Sequence, residues 1–188
     1  MSLLSYNQLV SQVVLAKVVA ERDNDLIPLS LVNASSIDIR LGRRLLRESP
    51  SCPVEAIDYR AREQLVMTPS PDWGEGWIIH PGEFVLTESE EVFHLPNHLS
   101  FEYKLKSSMA RIGLEHLTAG WADAGWHGSV LTLELKNMNQ HHPIRIRPGD
   151  AIGQITFFAH EPVPDDKSYA ARGRYNNDLS VTPPKAKP

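Results

Sequence analysis

The stretch PIRIRPGDAIGQITFF, residues 143–158, decides the fold class. Apolar and polar residues alternate on both sides of its Pro-Gly dipeptide, which predicts two short strands around a tight turn. Similar alternation occurs in SSIDIRLG (35–42), LSFEYKLK (99–106) and SVLTLELKN (129–137). Many short strands separated by turn signals favour an antiparallel β-sandwich or barrel over a parallel α/β sheet.

The segments outside these strands are less regular. Residues 5–20 have helical spacing of apolar residues after a potential Ser5 cap, although the run 13–19 also suits a strand. Segment 43–79 is rich in Arg, Glu and Pro, and we expect it to decorate the β core. The composition of the tail, residues 162–188, favours disorder, with folding over a ligand as the alternative.

Composition limits the kind of protein. The chain has 188 residues, 41% apolar and 22% charged, which suits one soluble domain, residues 1–188. A formal net charge of −4 argues against general binding of nucleic acid. The single cysteine, Cys52, excludes an internal disulfide and a thiolate-rich zinc site within one chain. Because no signal peptide or membrane-spanning run is evident, we expect a cytoplasmic protein without a membrane partner.

The strand at 129–137 carries one carboxylate, that of Glu134. Alternation predicts that Leu131, Leu133 and Leu135 face the core and that Glu134 faces the other way. The pattern alone favours a solvated face, on which Glu134 pairs with a neighbour across the strands. A catalytic carboxylate is the alternative.

Two further motifs contain groups that suit a phosphate or another polar ligand. LKSSMARIG (105–113) places hydroxyls and cations after a strand, where a capped helical turn could bind phosphate, although an ordinary helix cap is the alternative. HLTAGWADAGWHG (116–128) has two Gly-Trp turns around Asp123, which looks buried and could accept from a sugar hydroxyl. The alternative for Asp123 is an Asx-type turn. The histidines are scattered, without a recognisable metal-ligand spacing.

The order of the motifs is more specific than any one of them. SSIDIRLG, PGE, KSSMARIGL, TAGWADAGW, LTLELKN and RIRPGDAIGQITF, followed by a Tyr-bearing tail, resemble the dCTP deaminase branch of the dUTPase-like superfamily. The resemblance covers about residues 33–182 and is strongest over 105–157. It implies a mainly β fold, a distorted antiparallel β-barrel or jelly roll with a short N-terminal helix. It also implies a homotrimer with active sites between subunits, and a flexible C-terminal lid formed by residues 163–188.

The resemblance further implies a reaction, the zinc-independent hydrolysis of dCTP to dUTP and ammonia. Glu134 would be its general base and acid. The chain lacks the H-x-E…P-C-x-x-C pattern of zinc deaminases. Mg²⁺ is expected to arrive on the triphosphate, and dTTP is expected to inhibit.

The resemblance also assigns roles by position in the motifs. Catalysis would involve Ser107, Arg111 and Ala119 beside Glu134. The residues that would bind the nucleotide are Lys106, Ser107, Ser108, Arg111, Asp123, Gln154, Tyr169, Arg174 and Asp178.

Three features depart from the family pattern. Lys106 stands where Arg is usual, which keeps the charge and loses the bidentate fork. Asp178 stands at the usual Gln position, although Asn177 is an alternative match, and ionised Asp only accepts hydrogen bonds. One extra residue lies between Trp126 and Glu134, and a β-bulge would absorb it.

Several functions compete with plain deamination to dUTP. TAGWADAGW looks more like the bifunctional deaminases that also cleave the triphosphate to dUMP and pyrophosphate, in which Asp123 would position the second water. A variant acting on a modified or differently phosphorylated deoxycytidine nucleotide would explain Asp178. A plain dUTPase is disfavoured because its strand does not need Glu134. A non-catalytic nucleotide-sensing trimer on the same fold is the non-enzyme alternative.

Overall fold

The computed structural model describes residues 2–51, 53–71 and 74–186, so the predictions about Cys52 lie outside the described residues. These residues form twelve strands: β1 (Ser2–Leu3), β2 (Val19–Ala20), β3 (Ile37–Glu48), β4 (Met67–Pro69), β5 (Trp77–Ile79), β6 (Phe84–His94), β7 (Leu99–Leu105), β8 (Leu114–His116), β9 (Trp121–Ala122), β10 (His127–Asn137), β11 (Ile144–Ile146) and β12 (Ala151–Ala159). The helical segments are α1 (Tyr6–Gln8), which continues as a π-helical turn (Leu9–Val14), α2 (Ser107–Arg111), α3 (Tyr169–Arg172), and 3₁₀ turns at Leu29–Leu31, Tyr59–Gln64 and Asp165–Lys167.

The strands pair antiparallel throughout, in the order β8-β10-β6-β3-β12-β7-β9. β1, β2 and β4 pair with β12, β6 and β3, and β11 pairs with β5 in a separate ribbon. The long strand β3 joins the two halves, because Ile37–Arg40 pairs with β12 while Leu41–Arg47 pairs with β6 across a shift of register. The sheet therefore curls into a half-barrel, which confirms the predicted mainly β, antiparallel class.

The opening stretch forms its two strands as predicted, but they do not pair with each other. β11 pairs with β5, whereas β12 pairs with β3 and β7. The turn between them needs Gly149, whose φ is +86°, and the Asp150 carboxylate accepts from the Arg147 N–H at 2.8 Å. Further along β12, a Cβ at Gly153 would overlap the ring of Tyr103, so this position has no room for a side chain.

Two segment predictions need correction. The N-terminal helix covers residues 6–14 rather than 5–20, because Lys17 takes a left-handed φ of +53° and the chain then enters β2. The irregular segment expected from residue 43 begins later, because β3 continues to Glu48. Its residue Leu45 is fully buried, which places this half of β3 in the core.

An aromatic cluster fills the centre of the core beneath the candidate site. Phe93 lies 5.1 Å from Phe101 and 5.4 Å from Trp126, measured between ring centroids, and Phe101 lies 5.5 Å from Phe157. Burial of each such ring contributes on the order of 2 kcal/mol. The cluster thereby fixes Trp126 at the edge of the sheet. Among the described residues, no helix is long and apolar enough to cross a bilayer.

Candidate active site

The strand β10 carries Glu134 between β6 and β8. Its register against β6 shifts between Val130 and Thr132, which confirms the predicted β-bulge. The alternation had predicted that Leu131 shares the buried face of Leu133. Because of this shift, it does not. It is half-buried and lines a cavity together with Thr132 and Glu134.

This cavity, which we term the Glu134 pocket, encloses about 330 Å³, within the size range of small-molecule sites. Three carboxylates line it, those of Asp123, Glu134 and Asp178. Most of its wall is aromatic or aliphatic, from Leu86, Trp121, Trp126, Leu131, Tyr169 and Tyr175. Such a wall suits a planar heterocyclic base better than a polyphosphate, because phosphates need paired charges.

The carboxylate of Glu134 lies beside a buried histidine. Glu134 is 27% exposed and His116 is 4% exposed, with His116 Nε2 3.2 Å from Glu134 Oε2. The two atoms are not aligned for a hydrogen bond, and neither has another partner among the described residues. Glu134 therefore keeps acceptor capacity for a water molecule or a ligand N–H.

A tyrosine supports the histidine from below. The ring of Tyr103 packs on His116, with 4.7 Å between centroids. Burial raises the pKa of the Tyr103 hydroxyl, and the charge of Glu134 adds to this effect. His116 was not predicted as a site residue, although alternation along β8 points its side chain inward together with that of Leu114.

Asp123 lies at the rim of the pocket, and the expectation that it is buried was wrong. The residue is exposed, and it directly follows β9, the last strand in the order of the sheet. Its Oδ1 accepts from Trp121 Nε1 at 2.8 Å, a side-chain contact rather than an Asx turn. Its carbonyl accepts from the Trp126 N–H at 3.2 Å, which closes the turn. The carboxylate thus faces a position between the pocket and the solvent.

The loop before β9 contacts the main chain of Glu134 through Leu117, two residues before Ala119. The Leu117 N–H donates to the carbonyl of Glu134 at 3.2 Å, and Thr118 adopts a left-handed φ of +60°. Ala119 itself is exposed and does not line the Glu134 pocket.

The tail, described as far as residue 186, docks on the sheet beside the Glu134 pocket. Trp126 Nε1 donates to the carbonyl of Tyr175 at 2.6 Å. The Val130 N–H donates to the carbonyl of Asp178 at 2.9 Å. These contacts match the alternative in which the tail folds over a ligand site, rather than the disorder that its composition favoured.

The three predicted tail residues differ in their placement. Tyr169 lines the Glu134 pocket, and burial raises the pKa of its hydroxyl. Asp178 also lines it, with its carboxylate paired to Lys185 Nζ at 2.7 Å. Arg174 does not line the pocket, and its Nη1 donates to the carbonyl of Ala186 at 3.2 Å.

The predicted phosphate-binding residues form a second cluster, the α2 cluster: Lys106, Ser107, Ser108, Arg111 and Gln154. The helical turn α2 is confirmed, but Lys106 occupies its N-cap position and no side chain caps it. Lys106 pairs with Asp38, and Gln154 lies opposite Asp38 in the β-sheet register. None of the five lines the Glu134 pocket.

Three side chains of the α2 cluster are exposed to solvent and have no described partner. Ser107, Ser108 and Arg111 are exposed. Within the part of the chain that the structure describes, their side chains make no hydrogen bond or ion pair. Two hydroxyls and a guanidinium on one helical turn can bind an anion.

A comparison with protein families decides the relationship. Residues 7–160 match the family model described as dCTP deaminase-like. The chain belongs to the dCTP deaminase-like family. The match includes β10, the α2 cluster and the turn of Asp123.

Relatives of this dCTP deaminase-like chain carry a more specific name. A protein of Methanospirillum hungatei is 41% identical over 132 residues, which are 70% of this chain and 69% of that protein. A protein of Methanosphaerula palustris is 35% identical over 153 residues, 81% of this chain and 80% of that protein. One from Streptomyces griseus is 43% identical over 131 residues, 69% of this chain and 67% of that protein. All three are named dCTP deaminase, dUMP-forming.

A solved structure supports the fold. The 2′-deoxycytidine 5′-triphosphate deaminase of Agrobacterium tumefaciens superposes with a TM-score of 0.63 at 20% identity. The superposition covers 84% of this chain and 48% of that chain. At this identity the likeness shows the fold alone. Within residues 2–51, 53–71 and 74–186 of the dCTP deaminase-like chain, no three His, Cys, Asp or Glu side chains are grouped to hold a metal ion.

Proposed function

We propose that this protein hydrolyses dCTP to dUMP, ammonia and pyrophosphate, rather than stopping at the dUTP that the sequence alone favoured. The observation that carries the proposal is the carboxylate of Glu134, half-buried in an apolar pocket of base size, with Asp123 at the rim. The dUMP-forming names of the relatives favour the second hydrolysis.

The first step is deamination at C4 of the cytosine. Glu134 takes a proton from a water molecule, whose oxygen then forms a bond to C4. The protonated Glu134 delivers this proton to N3, and a second transfer through Glu134 moves the remaining hydroxyl proton to the exocyclic amine. The C4–N4 bond then breaks, ammonia leaves and a uracil remains. The half-buried position of Glu134 suits this role, because it is partly shielded from solvent but still reachable.

The second step is hydrolysis at the α-phosphorus. Asp123 orients a water molecule and accepts its proton, the water oxygen forms a bond to the phosphorus, and the bond to the departing pyrophosphate oxygen breaks. Asp123 suits this role because Trp121 Nε1 holds one carboxylate oxygen at 2.8 Å and thereby fixes the orientation of the other. Its place at the rim is where the phosphates of a nucleotide with its base in the pocket would emerge.

The triphosphate itself would be bound by the α2 cluster of a neighbouring subunit. This arrangement is favoured because the Glu134 pocket and the α2 cluster do not share a cavity within one chain. Large apolar side chains are exposed around both, including Ile112 (48%), Leu117 (46%) and Trp121 (55%). Exposed apolar residues next to an incomplete site support a homotrimer with sites between subunits.

Two inactive variants should restore activity to each other in mixed assemblies. Glu134→Gln lacks the base, and Arg111→Ala lacks a phosphate-binding cation on α2. If each site joins two subunits of a trimer, a trimer that contains both variants regenerates one of its three sites, so about a third of the wild-type activity is expected. The measurement is ammonia release from dCTP by doubly tagged, co-expressed trimers. Activity no greater than that of the separate variants would place both groups in one chain's site.

Mg²⁺ would arrive on the triphosphate, where it would neutralise part of the phosphate charge. The donor set of the α2 cluster fits this arrangement, because hydroxyls and a guanidinium bind phosphate oxygens and offer no carboxylate to a metal. Inhibition by dTTP would follow from competition for the same two clusters.

The hydrogen-bonding edge of the cytosine would contact Asp178, which stands where the family pattern usually has Gln. Asp178 lines the pocket, and its ionised carboxylate can accept from the exocyclic amine of cytosine. The same carboxylate would repel O4 of uracil, so it favours a deoxycytidine substrate over dUTP.

Substrate comparison tests this proposal against its alternatives. We expect ammonia release from dCTP with Mg²⁺, and slower turnover of dCMP and of added dUTP. Faster hydrolysis of dUTP without any ammonia release would indicate a plain dUTPase. Tight binding of dCTP without turnover would indicate a nucleotide sensor. A preference for C5-substituted dCTP would extend the substrate to modified bases.

A further inference from the structure

A hairpin near the N-terminus extends an arginine across the sheet to the tail. The turn after β2 is closed by the Asn24 N–H, which donates to the carbonyl of Glu21 at 2.9 Å. From this turn Arg22 Nη2 donates to Glu88 Oε1 at 2.6 Å, and Nη1 donates to the carbonyl of Leu179 at 2.9 Å. One guanidinium therefore connects the hairpin, β6 and the tail.

The carboxylate of Glu88 completes this connection from inside the sheet. Glu88 is 1% exposed, and its Oε2 accepts from the Val181 N–H at 2.7 Å. In the register of the sheet, Glu88 lies opposite Thr132, whose Oγ1 accepts from the Thr182 N–H at 3.3 Å. We term Arg22, Glu88 and tail residues 179–182 the tail clamp.

In the tail clamp, the docked tail donates a hydrogen bond to the buried carboxylate of Glu88. A buried carboxylate is costly unless it is paired and hydrogen-bonded. In the docked tail Glu88 has both a guanidinium and a backbone N–H, whereas release of the tail removes the N–H of Val181. Hydrogen bonds to charged groups are stronger than neutral ones, so Arg22 and Glu88 favour the docked tail.

We propose that Arg22 and Glu88 are positioning residues that hold the tail closed against the Glu134 pocket. The clamped segment ends at Thr182, which lines this pocket, and it lies between the other tail residues that line it, Tyr175 and Asp178 before it and Pro184 after it. Thr132, which contacts the clamped segment, also lines the pocket two residues before Glu134. The tail clamp thus organises the wall that the base contacts. Its effect on turnover rests on the proposed function, whereas its effect on the tail does not.

The test measures the tail and the reaction separately. Glu88→Gln and Arg22→Met should raise the hydrogen-exchange rate of the Val181 amide by about tenfold, the loss expected for a charged hydrogen bond. The KM for dCTP should rise by a similar factor with kcat little changed. A tail that is docked less firmly weakens the binding of substrate and transition state alike. In Arg22→Lys, the exchange rate of the Val181 amide and the KM for dCTP should both lie between those of the wild type and those of Arg22→Met. Glu90→Gln is the matched control, because Glu90 lies on the same strand and pairs loosely with Arg43, at 3.9 Å.

Unchanged exchange at Val181 in both variants would overturn the tail clamp. Faster exchange with KM unchanged and kcat reduced would also overturn it, because a positioning role predicts the opposite split. If the wild-type protein releases no ammonia from dCTP, the proposed function fails, and the exchange rates still decide whether Arg22 and Glu88 hold the tail.

Discussion

Glu134→Gln is expected to lower kcat for ammonia release from dCTP by about a thousandfold, within the range typical of a lost general acid–base group. Gln has nearly the same shape but cannot accept the proton from water or deliver it to N3. Because Glu134 is partly exposed and its contact with His116 is not a hydrogen bond, the fold should tolerate the change.

The measurement pairs kinetics with binding. The affinity of the Glu134→Gln variant for dCTP, measured by calorimetry, should stay close to that of the wild type. Glu115→Gln is the matched control, because Glu115 is exposed on the adjoining strand β8 and lies opposite Lys136. A Glu134→Gln variant that keeps a tenth or more of the wild-type kcat would remove Glu134 from the chemistry.

Asp123→Asn is expected to change the product. Formation of dUMP should fall by about a hundredfold, at the lower end of general base contributions, while ammonia is still released and dUTP accumulates. Asn keeps the oxygen that accepts from Trp121 Nε1, so the turn should be preserved while the charge is lost. Product ratios by anion-exchange chromatography measure the effect.

The control for this substitution is Asp166→Asn, because Asp166 is an exposed carboxylate of the tail that pairs with its neighbour Lys167. That variant should produce dUMP at the wild-type rate. If Asp123→Asn reduces ammonia release and dUMP formation equally, Asp123 serves binding or deamination rather than a separate hydrolysis step.

The strands could be predicted because their alternation is a local property. The pairing could not, since the two strands around Gly149 look like a hairpin and instead join different partners. The face of Leu131 could not be predicted either, because a bulge shifts the strand within three residues of Glu134. One extra residue in the spacing was the available signal for that bulge.

In the candidate site, too, the local motifs could be predicted and the contacts between distant segments could not. Motif order located Glu134, Asp123 and the α2 turn, but burial depends on neighbours distant in sequence. His116 reaches Glu134 only because β8 pairs with β10. The tail clamp joins Arg22 to Glu88 and the tail, groups separated by 66 and 157 residues. No local pattern encodes such contacts, and composition alone had favoured a disordered tail.

The most direct test of the account is the identity of the nucleotide released from dCTP. The purified protein would be incubated with dCTP and Mg²⁺, and nucleotides, pyrophosphate and ammonia would be quantified over the time course. We predict dUMP, pyrophosphate and ammonia in equal amounts, without accumulation of free dUTP. Accumulation of dUTP as the final product would contradict the second hydrolysis, and the absence of ammonia would contradict the deaminase assignment itself.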